Sequence, residues 1–363
     1  MLTYTDPDWI WHLLDEDDCE EGQDLEPETP VNSLRPAMEE SLARVAEALG
    51  EYGADIERTE NGLSFPGRMG RTHIVAFPQN YLCNDGQQVL DTVRIVTEPE
   101  PALTISPAVV ACANQAPGLS AVERSLTSKR LTAYSRVSNF AGWDGNMPLH
   151  ESVIVAAALS HDTVLATAMN EALGLAGEKA WPGVQLPGSG EPCRWGRADM
   201  LEVCEALKLE KDLADGEVPE LSVAIPWIGD VEALRNAKGA FRLRFLLDRS
   251  HPMLGGGLFV RLELPVFRYR RYLAWVANWL NGVELCAKDA PPFFGAWSVA
   301  PDRDQLVFTT FWPNMLYQPG LALNITAWAL CRSRRARNWL EDELQRGDGS
   351  GEAFGIVEPD DRA

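Results

Sequence analysis

One stretch of the chain occurs twice, and this repetition constrains the fold more than any other feature. Asn146-Met147 precedes an Ala-rich apolar stretch at 153–159, and Asn314-Met315 precedes a similar stretch at 324–330. The sequence numbers of the Asn-Met pairs differ by 314 − 146 = 168, and those of the closing leucines, Leu159 and Leu330, by 330 − 159 = 171. A period this long indicates a duplicated domain, because the units of solenoid proteins are only about 20–50 residues long.

A third matching pair supports the same alignment. Val93-Arg94-Ile95 and Val260-Arg261-Leu262 are offset by 260 − 93 = 167, in step with the two other offsets. A chain of 363 residues also has the length of about two domains. We therefore predict an N-terminal helix with an acidic linker at 1–34, a first repeat at 35–175, a Gly/Pro-rich linker at 176–197, a second repeat at 198–346 and a flexible tail at 347–363.

Hydrophobic periodicity predicts the elements of each repeat. For the second repeat it predicts the order α-β-β-β-α-β-β-α, at 198–213, 221–227, 240–247, 258–264, 272–280, 296–299, 305–311 and 320–344. The first repeat has helices at 38–49, 106–113 and 151–173 with strands at 63–65, 72–77, 92–96 and 131–140, and its last hairpin is not resolved into two strands. Strands grouped between helices predict an α+β fold with antiparallel sheets, since a βαβαβ alternation is absent.

The charge is strongly negative and unevenly distributed. The net charge is −21, no Lys or Arg precedes Arg35, and residues 15–21 contain six carboxylates. This balance disfavours binding to nucleic acid or to an anionic membrane, because both carry negative charge. The acidic run is typical of a solvated tail, and it would also suit a basic partner.

Localisation follows from what the sequence lacks. The start of the chain has no basic segment followed by an apolar core. No apolar run is long enough to cross a membrane, which takes about 20 consecutive apolar residues. The seven cysteines are scattered singly, which does not suggest a disulfide framework. We expect a cytoplasmic protein without membrane contact.

No catalytic motif is present. The sequence has no phosphate-binding loop, no nucleophile elbow and no paired-histidine zinc motif. The five histidines are far apart, and the three glycines at 255–257 precede a strand, which is typical of a tight turn. We predict no catalytic residues, no metal site and no cofactor, although an enzyme with a dispersed site is a further alternative.

Aromatic residues and arginines are concentrated in the second repeat. Six of the twelve tryptophans crowd its later part, at 275, 279, 297, 312, 328 and 339. Trp275 and Trp279 have helical spacing and are expected to pack on a sheet. Two basic clusters, 268–271 and 332–337, are expected to be solvated or to be covered by the acidic residues 15–28.

Two stretches of the second repeat resemble a known family. They are His251-Pro252-Met253-Leu254 with the glycines and strand that follow, and Thr309-Thr310-Phe311-Trp312-Pro313-Asn314 with the turn after it. Both resemble the actinobacterial type III secretion chaperone-like and YbjN-like (TY-Chap) family, most clearly over residues 219–345. The resemblance implies a secretion chaperone-like fold in which two tandem copies form a pseudo-dimer within one chain.

The resemblance also implies a function. Secretion chaperones of this fold hold an extended or partly folded partner segment, so we expect a non-enzymatic chaperone or adaptor that binds a protein or peptide segment. The oligomeric state stays open. The expected partner-binding residues are aromatic and near strand or hairpin ends: Phe259, Trp297, Phe311, Trp312 and Tyr317. The alternative is an acidic immunity-type or inhibitor protein that blocks a basic partner.

Overall fold

The computed structural model describes residues 34–67, 69–82, 88–99, 106–115, 118–124, 131–142, 147–173, 186–206, 220–226, 240–247, 250–251, 254–264, 273–286, 292–300 and 305–346. We call the described residues of 34–173 the first half and those of 186–346 the second half. The predicted N-terminal helix and acidic linker, apart from Leu34, and the predicted tail lie outside these residues.

The first half contains three helices and six strands among its described residues. In chain order they are α1 (Pro36–Glu51), β1 (Glu57–Thr59), β2 (Gly62–Pro66), β3 (Gly70–Leu82), β4 (Gln88–Pro99), α2 (Pro107–Ala113), β5 (Ala121–Arg124), β6 (Leu131–Phe140) and α3 (Met147–Leu173). The pairings are antiparallel, and the strands lie in the order β1-β2-β3-β4-β6-β5 in one sheet, sheet A.

The second half contains three helices and five strands in the part of it that the structure describes. They are α4 (Arg197–Ala206), β7 (Glu220–Pro226), β8 (Ala240–Leu246), β9 (Gly257–Leu264), α5 (Leu273–Cys286), β10 (Ala296–Val299), β11 (Leu306–Pro313) and α6 (Leu321–Arg346), with a short 3₁₀ turn, Asn314–Leu316, before α6. The strands form sheet B in the order β10-β11-β9-β8-β7, again antiparallel. Read from its other edge, sheet B has the order β7-β8-β9-β11-β10, which matches the order β2-β3-β4-β6-β5 of sheet A. Apart from β1, the two sheets therefore have the same topology.

Local sequence explains where the helices begin. Pro36 occupies the first turn of α1, where a missing N–H leaves no bond unmade. Met38, Leu42, Val45 and Leu49 then recur at helical spacing and are buried on one side. In α2, the hydroxyl of the N-cap residue Ser106 accepts a hydrogen bond of 3.4 Å from the Val109 N–H, and Pro107 follows the cap.

Each sheet carries a long helix on one face. Helix α3 packs on β3, β4 and β6, and α6 packs on β9 of sheet B. One continuous cluster of buried apolar side chains runs from Met38 in α1 through both sheets to Leu340 in α6. The two halves therefore share a core, and β11, which is covered on both sides, is buried along its whole length.

The predicted α+β class with antiparallel sheets is confirmed, and most predicted elements are present. The strands predicted at 72–77 and 92–96 are longer, at Gly70–Leu82 and Gln88–Pro99. The unresolved hairpin of the first repeat is β5 and β6, and β1 is an additional strand. No helix among the described residues is long and apolar enough to cross a membrane.

Two asparagines hold the hairpins of the two halves in the same way. Asn114, directly after α2, donates from Nδ2 to the Val122 carbonyl at 2.7 Å and accepts at Oδ1 from the Val122 N–H at 2.8 Å. Asn281 in α5 makes the same pair of bonds to Trp297 at 3.0 and 2.8 Å. Val122 is the second residue of β5, and Trp297 is the second residue of β10.

The backbone carbonyls of these asparagines link the halves reciprocally. The Thr309 hydroxyl of β11 donates to the Asn114 carbonyl at 3.2 Å, and the Tyr134 hydroxyl of β6 donates to the Asn281 carbonyl. Both acceptors and both donors are buried. Each half therefore receives one buried hydrogen bond at its asparagine from the other half.

Main-chain bonds repeat the exchange. The Phe311 N–H of β11 donates to the Gly118 carbonyl at 3.2 Å, and the Arg136 N–H of β6 donates to the Phe293 carbonyl at 3.1 Å. Helices α2 and α5 pack against each other beside these bonds, as do β5 and β10. We call this set of contacts the junction.

The described end of the predicted linker, 186–196, is fixed to the second half by Asn314. Its side-chain amide donates to the carbonyls of Gly188 and Pro192 at 3.0 and 2.8 Å, and its Oδ1 accepts from the Arg194 N–H at 2.9 Å. Asn314 is buried, so these bonds satisfy a side chain that water does not reach. Asn146, its partner in the sequence echo, lies outside the described residues.

Candidate functional site

The structure distributes the five predicted aromatic residues over two environments. Trp297, Phe311 and Trp312 are 0 %, 1 % and 2 % exposed, whereas Phe259 and Tyr317 are half-buried. The first three are core side chains, because β10 and β11 are covered on both faces. Partner contact by any of the five residues stays a prediction.

Trp297 and Phe311 have structural contacts that hold them inside. The Trp297 indole donates to the Glu284 carboxylate at 2.7 Å, and its backbone is held by Asn281. The Phe311 ring packs with Leu186 and lies 5.1 Å from the His251 ring, measured between centroids. Neither ring reaches the surface while the fold is intact.

A small cavity lies between sheet B and α6, and we call this region the α6 cleft. Its volume is ≈ 20 Å³, and Phe308, Thr310 and Trp312 of β11 line one side. These three alternate with residues that face the first half, so they project from the same face of the strand. Trp328 and Arg332 of α6 line the opposite side.

Trp328 covers the aromatic wall of the cleft. Its ring stacks on Trp312, with centroids 5.8 Å apart and planes inclined by 26°. Unlike Trp312, Trp328 is only half-buried, so it forms the boundary between the cleft and solvent. An aromatic ring in this position presents apolar area at the surface with few rotatable bonds, which suits partner recognition.

Two polar atoms in the wall of the cleft make no hydrogen bond within the described part of the chain. They are the Trp312 indole Nε1 and the Thr310 hydroxyl, both in buried side chains. A buried polar group without a partner costs about 1–3 kcal/mol, so each such case calls for an explanation. They are unusual in a region that is otherwise lined mainly by apolar side chains.

The charge at the inner end of the cleft is already balanced. Arg332 donates from Nε to both oxygens of Glu284, at 3.1 and 2.8 Å, and from a terminal nitrogen to the Pro292 carbonyl at 2.8 Å. The guanidinium carbon also lies 4.1 Å from the centroid of the Phe308 ring. Arg332 is therefore a buried structural residue, and its predicted place in a solvated basic cluster is wrong.

A buried histidine in the first half resembles a catalytic arrangement but is fully occupied. His161 of α3 contacts the Thr97 hydroxyl with Nδ1 at 2.8 Å and the Ser135 hydroxyl with Nε2 at 3.0 Å. Ser135 donates its only hydroxyl proton to the Leu119 carbonyl at 2.7 Å, so the proton between Ser135 and His161 must belong to Nε2. Thr97 accepts from Thr72 and donates to Nδ1.

This proton assignment excludes a Ser135 nucleophile activated by His161. A general base must accept the proton of the nucleophile, and Nε2 carries a proton already. Burial lowers the pKa of His161 to about 3, so the ring is neutral over the physiological range. Together with its complete burial, this makes His161 a satisfied core residue.

No group of three or more His, Cys, Asp or Glu side chains in the described part of the chain could hold a metal ion. Burial raises the pKa of Tyr317, with smaller contributions from the carboxylates of Asp199 and Glu202. The half-buried Tyr317 ring packs edge-on against Trp195, with the ring centroids 5.3 Å apart. The carboxylates of Asp199 and Glu202 make the surroundings of this ring acidic.

Sequence reasoning did not select Trp328 or the Arg332–Glu284 pair. One signal was available, because Trp328 and Arg332 have the i, i+4 spacing that puts two side chains on the same face of a helix. Glu284 also stands in a helix that is otherwise mainly aromatic and aliphatic, where a charge needs a partner. Which arginine would pair with it depends on tertiary packing.

A scan against protein-family models, a search of curated proteins and a search of solved structures each found no match to this chain.

Proposed function

We propose that the chain is a non-enzymatic adaptor or chaperone that binds a protein or peptide segment, and that it is built from two tandem copies of a chaperone-like unit. The junction supports the structural part of this proposal. Asn114 and Asn281, offset by 281 − 114 = 167, make equivalent bonds. The residues that they hold, Val122 and Trp297, are offset by 297 − 122 = 175.

The donors across the junction follow the same offset. Tyr134 and Thr309 differ in sequence number by 309 − 134 = 175, and each donates to the asparagine of the opposite half. Reciprocal contacts between equivalent positions are the property of a twofold dimer interface. Two fused copies would reproduce this interface within one chain, as a pseudo-dimer.

The junction can be tested by cutting the chain. With a specific protease site inserted between Lys179 and Ala180, we expect the two fragments to co-elute after cleavage at the position of the uncut protein of 40.1 kDa. Buried reciprocal bonds and a shared core hold the fragments without the linker. Size-exclusion chromatography measures the result, and separation of the fragments in native buffer would contradict a stable pseudo-dimer.

The α6 cleft is the proposed contact site for the partner. Its walls are aromatic, Trp328 lies at its boundary with solvent, and Trp312 Nε1 and the Thr310 hydroxyl lack hydrogen-bond partners among the described residues. A partner side chain that displaces the Trp328 ring would gain apolar contact with Trp312. Its main chain could then accept a hydrogen bond from the indole, which removes a cost present in the unbound protein.

The satisfied state of His161 and of the Arg332–Glu284 pair supports a binding function over catalysis. Both sets of polar groups have their hydrogen bonds inside the protein, and neither has a charge or proton available for a substrate. The acidic inhibitor alternative rests on the net charge of −21 alone.

Replacing Trp328 with Ala is expected to reduce partner recovery by at least about tenfold, since central aromatic residues dominate interface energies. The full chain serves as bait in lysate of the native host, and quantitative mass spectrometry measures the co-purified protein. Trp339→Ala is the matched control, because Trp339 is a half-buried tryptophan farther along the same helix.

The outcomes separate the two functions. Recovery of one stoichiometric protein that Trp328→Ala loses and Trp339→Ala retains supports the adaptor. Recovery of one basic protein that both variants bind equally, with strong salt dependence, supports the acidic inhibitor instead. Loss with both variants means that the cleft is not the specific contact.

A further inference from the structure

The face of sheet B that points away from α6 carries a cluster of arginines. Strand alternation places Arg242 and Arg244 of β8 and Arg261 and Glu263 of β9 on this face, opposite to Leu262 and Val260, which line the α6 cleft. Arg242 is exposed, and Arg244 and Arg261 have 26 % and 18 % of their side-chain surface exposed. We call these four residues the arginine face.

The pairing within the arginine face brings like charges together. Arg244 and Arg261 are directly opposite each other in the β8–β9 register, a placement that destabilises a sheet. Between them the Glu263 carboxylate, which is buried, lies 3.4 Å from Arg244 and 3.2 Å from Arg261. The four residues of the face thus carry three guanidinium groups and one carboxylate.

Among these four residues arginines outnumber carboxylates by three to one, in a chain with a net charge of −21. Cross-strand arginines violate the ordinary rules of strand pairing, and such violations are expected mainly at functional sites. Guanidinium groups bind carboxylates in well-defined geometry, so additional carboxylates suit this face chemically.

We propose that the arginine face binds the acidic run of this chain's own N-terminal segment, residues 15–21. Six of these seven residues are carboxylates, and no Lys or Arg precedes Arg35 to neutralise them within the segment. The contact thereby joins the most acidic stretch of the sequence to a basic face of the second half.

Covalent attachment favours a segment of the same chain as the ligand of the arginine face. Attachment gives a segment a high effective concentration, of the order of millimolar for a short flexible connection, without the repulsion that a second acidic molecule would meet. Glu21 and Leu34 are thirteen positions apart in the sequence, and a chain of that length extends by up to about 45 Å. The segment can therefore reach far from the start of α1.

The basic surface in this proposal differs from the one expected from sequence. Arg332 is buried with Glu284, and residues 268–271 lie outside the described part of the chain. The inference is also independent of the proposed partner function, since the segment can bind the arginine face whether or not the α6 cleft binds a partner.

Cleavage of the full chain by a glutamyl endopeptidase tests the proposal, because Glu16, Glu20 and Glu21 are cutting sites within the run. At low salt we expect cleavage about fivefold slower than in a free synthetic peptide of residues 1–33, as several exposed ion pairs allow. Mass spectrometry of the early products gives the rate at each site. In high salt, on the order of 0.5 M, protection should fall toward the peptide's rate in the same buffer.

Two variants should remove the protection at low salt. Arg242→Ala/Arg244→Ala removes charge from the face, and Asp15→Asn/Asp17→Asn/Asp18→Asn removes it from the segment while keeping the glutamates that the protease needs. The second variant leaves the sheet intact, so it is decisive even if the first alters folding. Arg58→Ala, an exposed arginine on β1 of sheet A, is the matched control and should keep the protection.

Three outcomes would overturn the proposal. The segment in the intact chain could be cut as fast as the free peptide, or the Asp-to-Asn variant could remain protected. Alternatively, Arg58→Ala could lose protection as fully as the arginine-face variant, which would indicate a general charge effect. Protection that both charge variants lose and Arg58→Ala keeps supports the contact.

Discussion

Replacing Arg332 with Met lowers the free energy of unfolding by about 3–5 kcal/mol, the usual effect of removing one partner of a buried ion pair. Arg332 and Glu284 are 4 % and 1 % exposed at the side chain. Without the guanidinium, the Glu284 carboxylate keeps only the Trp297 indole as a hydrogen-bond donor among the contacts described above. Equilibrium urea unfolding followed by circular dichroism measures the change.

The double variant Glu284→Gln/Arg332→Met is the control for this explanation. Gln removes the unpaired charge and keeps an oxygen that can accept from the Trp297 indole. We expect the double variant to recover more than half of the stability that Arg332→Met loses, because the cost comes mainly from the stranded charge. A double variant that is no more stable than the single one would show that packing around Arg332 matters more than charge.

Acid should destabilise the protein well above the range where most carboxylates titrate. Burial lowers the pKa of His161 to about 3 and that of His150 to about 4, both below the unfolded value near 6.5. The unfolded state therefore binds more protons between these values. The stability that neutral histidine provides is complete above pH 6.5 and decreases as pH falls, by about 1.4 kcal/mol per pH unit for each histidine.

Urea unfolding at pH values from about 7.5 to about 4.5 measures this slope. His161→Gln removes one titrating ring and is expected to reduce the slope between about pH 6 and pH 5 by about half of what His150 and His161 contribute together. Its stability near neutral pH will also fall, because bonds to Thr97 and Ser135 are altered. An unchanged slope in His161→Gln would mean that His161 is not the group responsible.

Elements with a strong pattern were predictable from the sequence. Strands β8 and β9 and the long helix α6 follow clear periods and lie within a few residues of the predicted positions. The first-half hairpin was not resolved because β5 has only four residues, too few to show a period, whereas β6 was predicted at its observed bounds, Leu131–Phe140.

The candidate site was less predictable for a related reason. Strand β11 is a nearly continuous apolar run, and such a run indicates burial on both faces without telling what covers each face. Trp297, Phe311 and Trp312 were therefore chosen for their chemistry, although the junction and α6 bury them. The role of Trp328 depends on its stacking over Trp312, a contact that only the packing of α6 on sheet B creates.

The junction also sets an order of events during synthesis. Its hydrogen bonds join Asn114 to Thr309 and Tyr134 to Asn281, so no ribosome-bound chain can close it before most of the second half has been made. At a translation rate of about 5–20 residues per second, synthesis from Tyr134 to Thr309 takes roughly 9–35 s. For that time the emerging first half exposes the edge strand β5 and the apolar side of α2, a period in which a nascent chain depends on protection from aggregation.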